Sequence, residues 1–590
     1  MTQTELAAVA RRHGWIVLAA ATSVVIAISA IRGVARGYQP VSDNALIEIR
    51  GRDVFTGDHP LLGTWSSASV GAGIDVNHPG PLLFDLVAVP IRLFGAPAGI
   101  AFAVAALHIA VVWTVGWVAR RAGGPTAAIT AMAVTAGLVW TLGSELLYDP
   151  WQPNVLVLPF WLLLCTVWAV MAGDVRLFPL ACGVGSFAMQ THLGYVTIVP
   201  VLLGVAAVAA AVRVWPDRRH ELRRPTVLSI AVIGVLWAQP LWEQFFGPGR
   251  GNLGRVVTAG TGGGDDFEPV ASTTTGLTLG VRMLASVLAL PPWWGRPGYD
   301  DSIPGSTQTV TADGLEIDVV GLSSFGSALL GLLVVMVAGI VAWRFARRAG
   351  ARRVEFAFAT LITVLAVAAI TVVITPIDII GLSPHKVRWL WAIGAFLTFT
   401  LAMAVLASLS PQQRQYGVGA LAVVAGLALV ATVPSHANQS GPTQFAATYD
   451  SIEDLRRQLD VVLDDLRDAD GAPIESVLFD ADGIGFGEPY TAPVMAEFLR
   501  NGIDLVVDDS TLGRQLGPDR RADPNDPNVT PSGETRPTVF VRAGSAALDV
   551  PAGVERLAFH DGDPSPFSLT DVTDRAVAVF VTTDATGDTQ

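Results

Sequence analysis

The sequence predicts a polytopic α-helical membrane protein with a small water-soluble α/β domain at its C-terminal end. Three observations carry that expectation. Hydrophobic residues make up 51% of the chain and charged residues only 15%, at a mean hydropathy of +0.49, whereas soluble proteins carry about 25% charged residues. About eleven apolar runs approach the roughly 20 residues that a bilayer crossing needs. The net charge of −13 is also unevenly placed. Residues 441–590 hold 28 Asp and Glu against 11 Arg, a net of −17, and residues 1–440 hold 23 acids against 27 bases, a net of +4. The charge thus separates a membrane core, 1–440, from an acidic extracytoplasmic domain, 441–590.

The first run, 15–34, follows Arg11-Arg12 and lacks a clear cleavage site, so it reads as an uncleaved anchor with a cytoplasmic N-terminus. A short apolar segment, 81–95, reads as a juxtamembrane helix. Further runs fall near 99–118, 125–143, 154–172, 176–193, 195–213, 226–242, 326–343, 355–375, 389–408 and 417–434. Alternation places two basic clusters, Arg213, Arg218, Arg219, Arg223 and Arg224, and Arg344, Arg347, Arg348, Arg352 and Arg353, on the cytoplasmic side, as the positive-inside rule requires. The long loops 36–95 and 245–325 then lie outside, with the C-terminal domain. Within the second, the apolar stretch 277–290 before Pro291-Pro292-Trp293-Trp294 reads as an interfacial helix. In the acidic domain, helices are expected over 448–469 and 492–500 and strands over 476–479, 504–507, 538–542 and 577–582. The Pro- and Asp-rich stretch 517–534 is expected to be a loop.

The composition excludes several classes. An acidic surface repels phosphates, so nucleic acid is not an expected partner. The two cysteines, Cys165 and Cys182, lie in apolar runs, which excludes a disulfide framework and a cysteine zinc site. Gly260–Gly264 matches no Walker pattern.

Candidate chemistry lies in the outer loops. The first opens Val41-Ser42-Asp43-Asn44-Ala45-Leu46-Ile47-Glu48-Ile49-Arg50. A carboxylate at the membrane surface can take a proton from an acceptor hydroxyl, which makes Asp43 the leading candidate base. The alternative is that Asp43 caps the following helix. Asp58-His59-Pro60 reads as a surface turn. Between the third and fourth spans, Glu145 and Asp149 offer two more carboxylates, although Asp149-Pro150 is also an ordinary turn. The segment His385-Lys386-Val387-Arg388-Trp389 carries the single lysine of the chain. It sits on the side where the positive-inside rule disfavours basic residues. Arg388, supported by Lys386 and His385, is therefore a candidate phosphate site; interfacial snorkelling is the alternative. His192 and Glu243 lie near span ends, where polar side chains face a cavity or a partner helix.

An N-in first span and an acidic residue opening a large outer loop are followed by Asn77-His78-Pro79-Gly80-Pro81-Leu82-Leu83-Phe84, by Arg92-Leu93-Phe94-Gly95, and by many further spans. Together these resemble the GT-C glycosyltransferase superfamily, in its protein mannosyltransferase and aminoarabinose transferase-like branch. The resemblance covers the chain to about residue 440. It implies a polyprenyl-phosphate sugar as donor, a glycan or lipid outside the cytoplasm as acceptor, and an acidic base in the first outer loop, which by motif position is Asp43. It also implies a second acidic residue, Asp149 or Glu145, that orients acceptor or base. His78, His192 and Glu243 become candidate substrate contacts. A single Asp precedes Asn44 in place of a paired acidic motif; the sequence specifies no cofactor, and a divalent metal is compatible with the loop carboxylates.

Arg outnumbers Lys thirty-seven to one, an actinobacteria-like composition that, with the resemblance, implies an arabinose or mannose donor at the bacterial inner membrane. Two alternatives stand beside the transferase. A transporter or flippase of lipid-linked sugars would place charges at mid-membrane and show internal repeats. A noncatalytic envelope-assembly scaffold would leave the acidic domain as the functional part. In the transferase reading that domain is expected to bind acceptor or partner and to take no part in the chemical step.

Overall fold

Apolar segments in a bilayer must satisfy their backbone groups internally, so they form helices. The computed structural model describes residues 3–218, 220–247, 249–261, 266, 274–290, 292–295, 306–311, 314–319, 322–377, 386–435, 442–467, 472–480, 488–508, 510–523, 527, 536–566 and 573–582. Helix α1 (Gln3–Ala35) is followed by α2 (Asp43–Asp53), the short α3 (Ala68–Ala72), α4 (Leu82–Phe94) and α5 (Ala96–Leu142). Two expected runs share α5, joined at Gly124, where φ 78° and ψ −170° break the helix ahead of Pro125. A residue with a side chain would be strained there. Next come α6 (Gln152–Val155), α7 (Val157–Met171), α8 (Phe178–Thr191), α9 (Tyr195–Arg218), α10 (His220–Leu236), α11 (Ala238–Phe246), α12 (Asn252–Thr261) and α13 (Gly276–Leu288). A hairpin of β1 (Ser306–Thr311) and β2 (Gly314–Val319) precedes α14 (Phe325–Arg348), α15 (Arg352–Ile374), α16 (Leu390–Ser408) and α17 (Pro411–Thr432).

Among the described residues eight helices are long and apolar enough to cross a membrane, or nine if α10 and α11, bent by 57°, form one span. Each expected run falls on helix. The count is lower than eleven because α5 holds two runs and α8 is only 14 residues long.

The chain divides into two compact units: Met1–Ala30, Leu61–Leu82 and Val104–Ser440 form one, and Ile31–Pro60, Leu83–Ala103 and Gly441–Gln590 the other. The acidic segment thus shares its unit with two pieces of the N-terminal hundred residues.

In the first unit α7 is apolar on all sides and wholly buried, packed against α8, α9, α15 and α16. Its Trp161 Nε1 donates to Thr135 Oγ1 at 2.9 Å, and Trp168 Nε1 donates to the Arg353 carbonyl at 2.8 Å. Helix α13 packs on α14, α15 and α16 and is buried from Met283 to Leu288. The stretch expected to be an interfacial helix is therefore built into the bundle, and Trp293 just beyond it fits against Gly394 and Gly137. At one end of the unit, Arg121 pairs with Asp174, and both line a cavity of about 290 Å³ with Arg176, Glu221 and Arg353. At the same end, the Arg213 guanidinium lies 4.8 Å from the centre of the Phe356 ring. Segments of both basic clusters thus share one end of the bundle.

The second unit adds α18 (Tyr449–Val462), β3 (Ser476–Asp480), α19 (Thr491–Arg500), β4 (Asp504–Val507), α20 (Ser510–Leu516), β5 (Thr538–Ala543), β6 (Val554–His560) and β7 (Val577–Thr582). Five strands form one sheet in the order β4-β3-β5-β7-β6. β3 is parallel to β4 and β5, and β7 is antiparallel to β5 and β6. The sequence expectation omits β6. It is an edge strand whose Glu555 and Arg556 point to solvent, so it lacks the apolar run by which a buried strand is recognised. Of the expected loop 517–534, residues 524–526 and 528–534 lie outside the described residues.

His560 closes β6 between two carboxylates: Nδ1 lies 3.0 Å from Asp454 of α18, and Nε2 3.2 Å from Asp574. Partial burial, the largest influence, lowers the imidazole pKa, but the hydrogen bonds and charges of Asp454 and Asp574 together outweigh it, and the net shift is upward from 6.5. A pKa raised by folding contributes stability that is complete below the unfolded value of about 6.5 and is lost as pH rises through the folded value. Amide-exchange protection of Val554–His560 is expected to weaken as pH rises from about 6 through that range. In His560→Gln that pH dependence should be absent; an identical profile in both proteins would remove His560 from the linkage.

Candidate active site

Three segments of the first unit meet in a polar network that no single stretch of sequence shows. Residues 61–82 fold back on themselves. The Gly63 amide donates to the His78 carbonyl at 3.0 Å, the His78 amide to the Thr64 carbonyl at 2.8 Å, and the Ser66 amide to the Val76 carbonyl at 2.9 Å. Gln152 Nε2 donates to Thr64 Oγ1 at 2.9 Å and ties the 145–155 segment to this ladder. Asn252 does the same for the segment at α12: its Nδ2 donates to the Asn77 carbonyl at 3.0 Å, and its Oδ1 accepts from the Asn77 amide at 2.8 Å. Gly80 presses on Gln190 and Pro240 so closely that an added Cβ would lie 2.1 Å from Gln190 Oε1.

The expected site residues fall on this network in different ways. His78 and His192 face each other with ring centres 5.0 Å apart. Each uses Nδ1 to accept a backbone N–H at 3.1 Å, from Leu193 and Gly194 respectively. When neutral, both rings must therefore carry the proton on Nε2, so the pair offers two N–H donors. Glu243 receives the Asn252 amide on both oxygens, at 3.2 and 2.9 Å, and so caps the start of α12. Asp149 is fully buried and accepts from the Trp151 amide at 3.3 Å and from Asn154 Nδ2, an Asx-type turn. Glu145 is half-buried and accepts from Ser144 Oγ at 2.8 Å. His108, which the sequence reading does not single out, reaches both ends of the 147–155 segment, with Nδ1 3.0 Å from the Leu147 carbonyl and Nε2 3.2 Å from that of Val155. Its only sequence signal is a lone histidine in an apolar helix.

Arg388 is 1% exposed at the head of α16, with its guanidinium 6.0 Å from the Trp391 ring centre. Lys386 Nζ donates to the Pro376 carbonyl at 2.6 Å. His385 lies outside the described residues. Among the described residues no three His, Cys, Asp or Glu side chains gather as a metal-binding group.

Asp43 belongs to the second unit. It is the first residue of α2; the cap position is Ser42, which makes no side-chain cap hydrogen bond. Ser42 has φ 49° and ψ −128°, a strained conformation for a residue with a side chain. The half-buried Asp43 carboxylate follows directly on this strained backbone.

Helix α2 is held by charge on several sides. Glu48, 1% exposed, accepts from Arg456 Nη2 at 2.7 Å and pairs with Arg52 at 3.3 Å. Asp53 takes both ends of the Arg520 guanidinium at 2.8 Å and Arg50 Nη1 at 2.7 Å. Burial lowers the Arg50 pKa even against Asp53; for Arg520 the hydrogen bond and charge of Asp53 outweigh burial and raise it. Arg92 of α4 donates to the carbonyls of Gly51, Arg52 and Val54 where α2 ends. Ala45, Leu46 and Ile49 join the apolar core of α18, α19, β3 and β4. Two arginines of the acidic segment thus hold the helix that begins with Asp43.

The fold is similar to that of a solved membrane-protein structure, ArnT. ArnT of Cupriavidus metallidurans bound to undecaprenyl phosphate superposes with a TM-score of 0.52 at 13% identity, covering 96% of this chain and 98% of ArnT. The same protein in its apo state gives 0.50 at 12%, with the same coverage. An oligosaccharyltransferase of Archaeoglobus fulgidus aligns over 80% of this chain and 62% of its own, at a TM-score of 0.38 and 12% identity. At such identities the likeness is one of fold. No family model and no curated protein sequence matches the chain.

Removing one partner of a buried ion pair costs about 3–5 kcal/mol because the other charge is left uncompensated. Asp53→Asn, which removes the buried carboxylate that Arg50 and Arg520 share, is expected to lower the melting temperature of the purified protein and to open α2 to limited proteolysis. Wild-type melting and protease resistance in Asp53→Asn would show that the cluster does not hold α2.

Proposed function

We propose that this protein is an integral membrane glycosyltransferase that moves a sugar, of arabinose or mannose type, from a polyprenyl-phosphate donor to a glycan or lipid acceptor outside the cytoplasm. The observation that carries the reading is the fold likeness, over nearly the whole of both chains, to ArnT, whose structure holds undecaprenyl phosphate. In the proposed reaction an acceptor hydroxyl forms a bond to the anomeric carbon as the bond from that carbon to the phosphate oxygen breaks. Asp43 takes the hydroxyl proton, and Arg388 compensates the negative charge of the departing polyprenyl phosphate. His78 and His192, as Nε2–H donors, are suited to sugar or phosphate oxygens. Asp149 and Glu145 orient the acceptor side, and Lys386 and Glu243 support the loops that carry Arg388 and Asn252.

Loss of a positioned base typically lowers a rate by about 10²–10⁴. Removing an acidic group from the first turn of a helix costs only about 0.3–1 kcal/mol. Asp43→Asn is therefore expected to abolish most transfer while the protein stays monodisperse, and Arg388→Ala to weaken donor binding more than turnover. Near-normal turnover by Asp43→Asn would pass the role of base to Glu145 or Asp149. A lipid extract of a deletion strain, read for the polyprenyl-phosphate sugar that accumulates, identifies the donor; no accumulation of any would count against the transferase reading.

The convergence of segments from both basic clusters at one end of the bundle supports placing that end in the cytoplasm and residues 441–590 outside. Alkaline phosphatase fused after Gly441 is expected to be active. A stable but inactive fusion would reverse the orientation.

A further inference from the structure

A second feature of the first unit, independent of the transfer chemistry, lies on the outer surface of its helices. Between α9 and α15 runs an open groove of about 890 Å³, lined by Val201, Gly204, Val205, Val208, Ala209 and Val212 of α9 and closed at one end by Arg213, Arg352 and Phe356. The lining is apolar except at that end. Gly204 deepens it, since a Cβ built there would meet nothing within 4 Å. Arg213 is held in place: its guanidinium stacks over Phe356 at 4.8 Å, and its Nη1 reaches the Met171 carbonyl at 3.4 Å. Arg352 stands exposed at the first turn of α15. The acidic residue nearest in sequence, Glu355, is not among the residues that line the groove.

The dimensions match one kind of occupant. From Val201 to Val212 the helix rises about 16 Å at 1.5 Å per residue, close to the roughly 15 Å hydrocarbon depth of one leaflet. The two arginines therefore stand at headgroup level when the apolar part lies along the acyl chains. Guanidinium groups there recognise phosphate oxygens, and a headgroup that carries its own ammonium would be repelled in part. We infer that the groove between α9 and α15 is a binding site for one anionic glycerophospholipid, its acyl chain along Val201–Val212 and its phosphate against Arg213 and Arg352.

The test uses the full-length chain in nanodiscs containing equal phosphatidylglycerol and phosphatidylcholine of the same acyl composition, with retained lipid counted by native mass spectrometry. Two arginines acting on one anionic headgroup set the expected preference for phosphatidylglycerol at about 30-fold. Arg213→Gln/Arg352→Gln should erase the preference. Gly204→Leu, which fills open space and favours the helix, should expel the bound lipid while elution remains monodisperse. Equal retention of the two lipids by the wild-type chain overturns the proposal, as does a preference that survives either variant. Displacement of the lipid by inorganic phosphate alone would show an anion site without a lipid groove, and overturns it too.

Discussion

Helix α2 is eleven residues long and carries Asp43, Glu48, Arg50, Arg52 and Asp53, yet it is buried along most of its length. Such a helix can be buried only if its charges meet opposite charges in fixed register. Arg456 meets Glu48, and Arg520 meets Asp53 with both ends of its guanidinium. A shift of α2 by one residue would part Glu48 from Arg456 and Asp53 from Arg520, leaving buried charges without these partners, which costs more than the net stability any such pair contributes. Gly51 tightens the constraint from another side, because an added Cβ there would lie 2.8 Å from Val87 of α4. The position of everything at the start of α2, the strained Ser42 and the carboxylate of Asp43 included, follows from this register.

That constraint changes how the acidic C-terminal segment is understood. Its net charge of −17 is a sum over composition and says nothing of which charges face inward. The residues that matter to α2 are among its few arginines, turned inward at 4% exposure for the Arg520 side chain and 11% for that of Arg456. A domain read from composition as an accessory binding module is, in its packing, part of the support of the candidate base. In the proposed reaction such a support matters because general-base catalysis depends on holding the carboxylate within hydrogen-bond reach of one hydroxyl.

The first unit solves a different problem, that of keeping irregular backbone satisfied among apolar helices. Asn252 pairs with Asn77 much as a neighbouring strand would, His108 reaches two carbonyls at the ends of the 147–155 loop, and Gln152 holds Thr64. Side chains that sequence reading offers as substrate contacts, Glu243 above all, are partly spent on this work. The His78 and His192 rings are distinctive, since both Nδ1 atoms accept backbone N–H groups, which places the proton of each neutral ring on Nε2.

Membrane class, the position of the apolar helices and most of the α/β domain could be read from the sequence, because they depend on local quantities: run length, alternation and charge. The strands β3, β4, β5 and β7 fall where apolar alternation places them, whereas the edge strand β6 escapes because only part of it is buried. Span number was less legible, since helix length along the chain says nothing of a kink such as that at Gly124. The site was legible only as a set of residue types. Whether Asp43 or Ser42 caps α2, whether Lys386 faces a ligand or the Pro376 carbonyl, and that Glu243 caps α12, all depend on partners distant in sequence or on backbone angles. Composition and periodicity determined which segments enter the membrane, because transfer from water is a sum over neighbouring residues. Only the tertiary structure decided which charges meet, because an ion pair such as Asp53 with Arg520 joins positions 467 residues apart and depends on geometry that no local window contains.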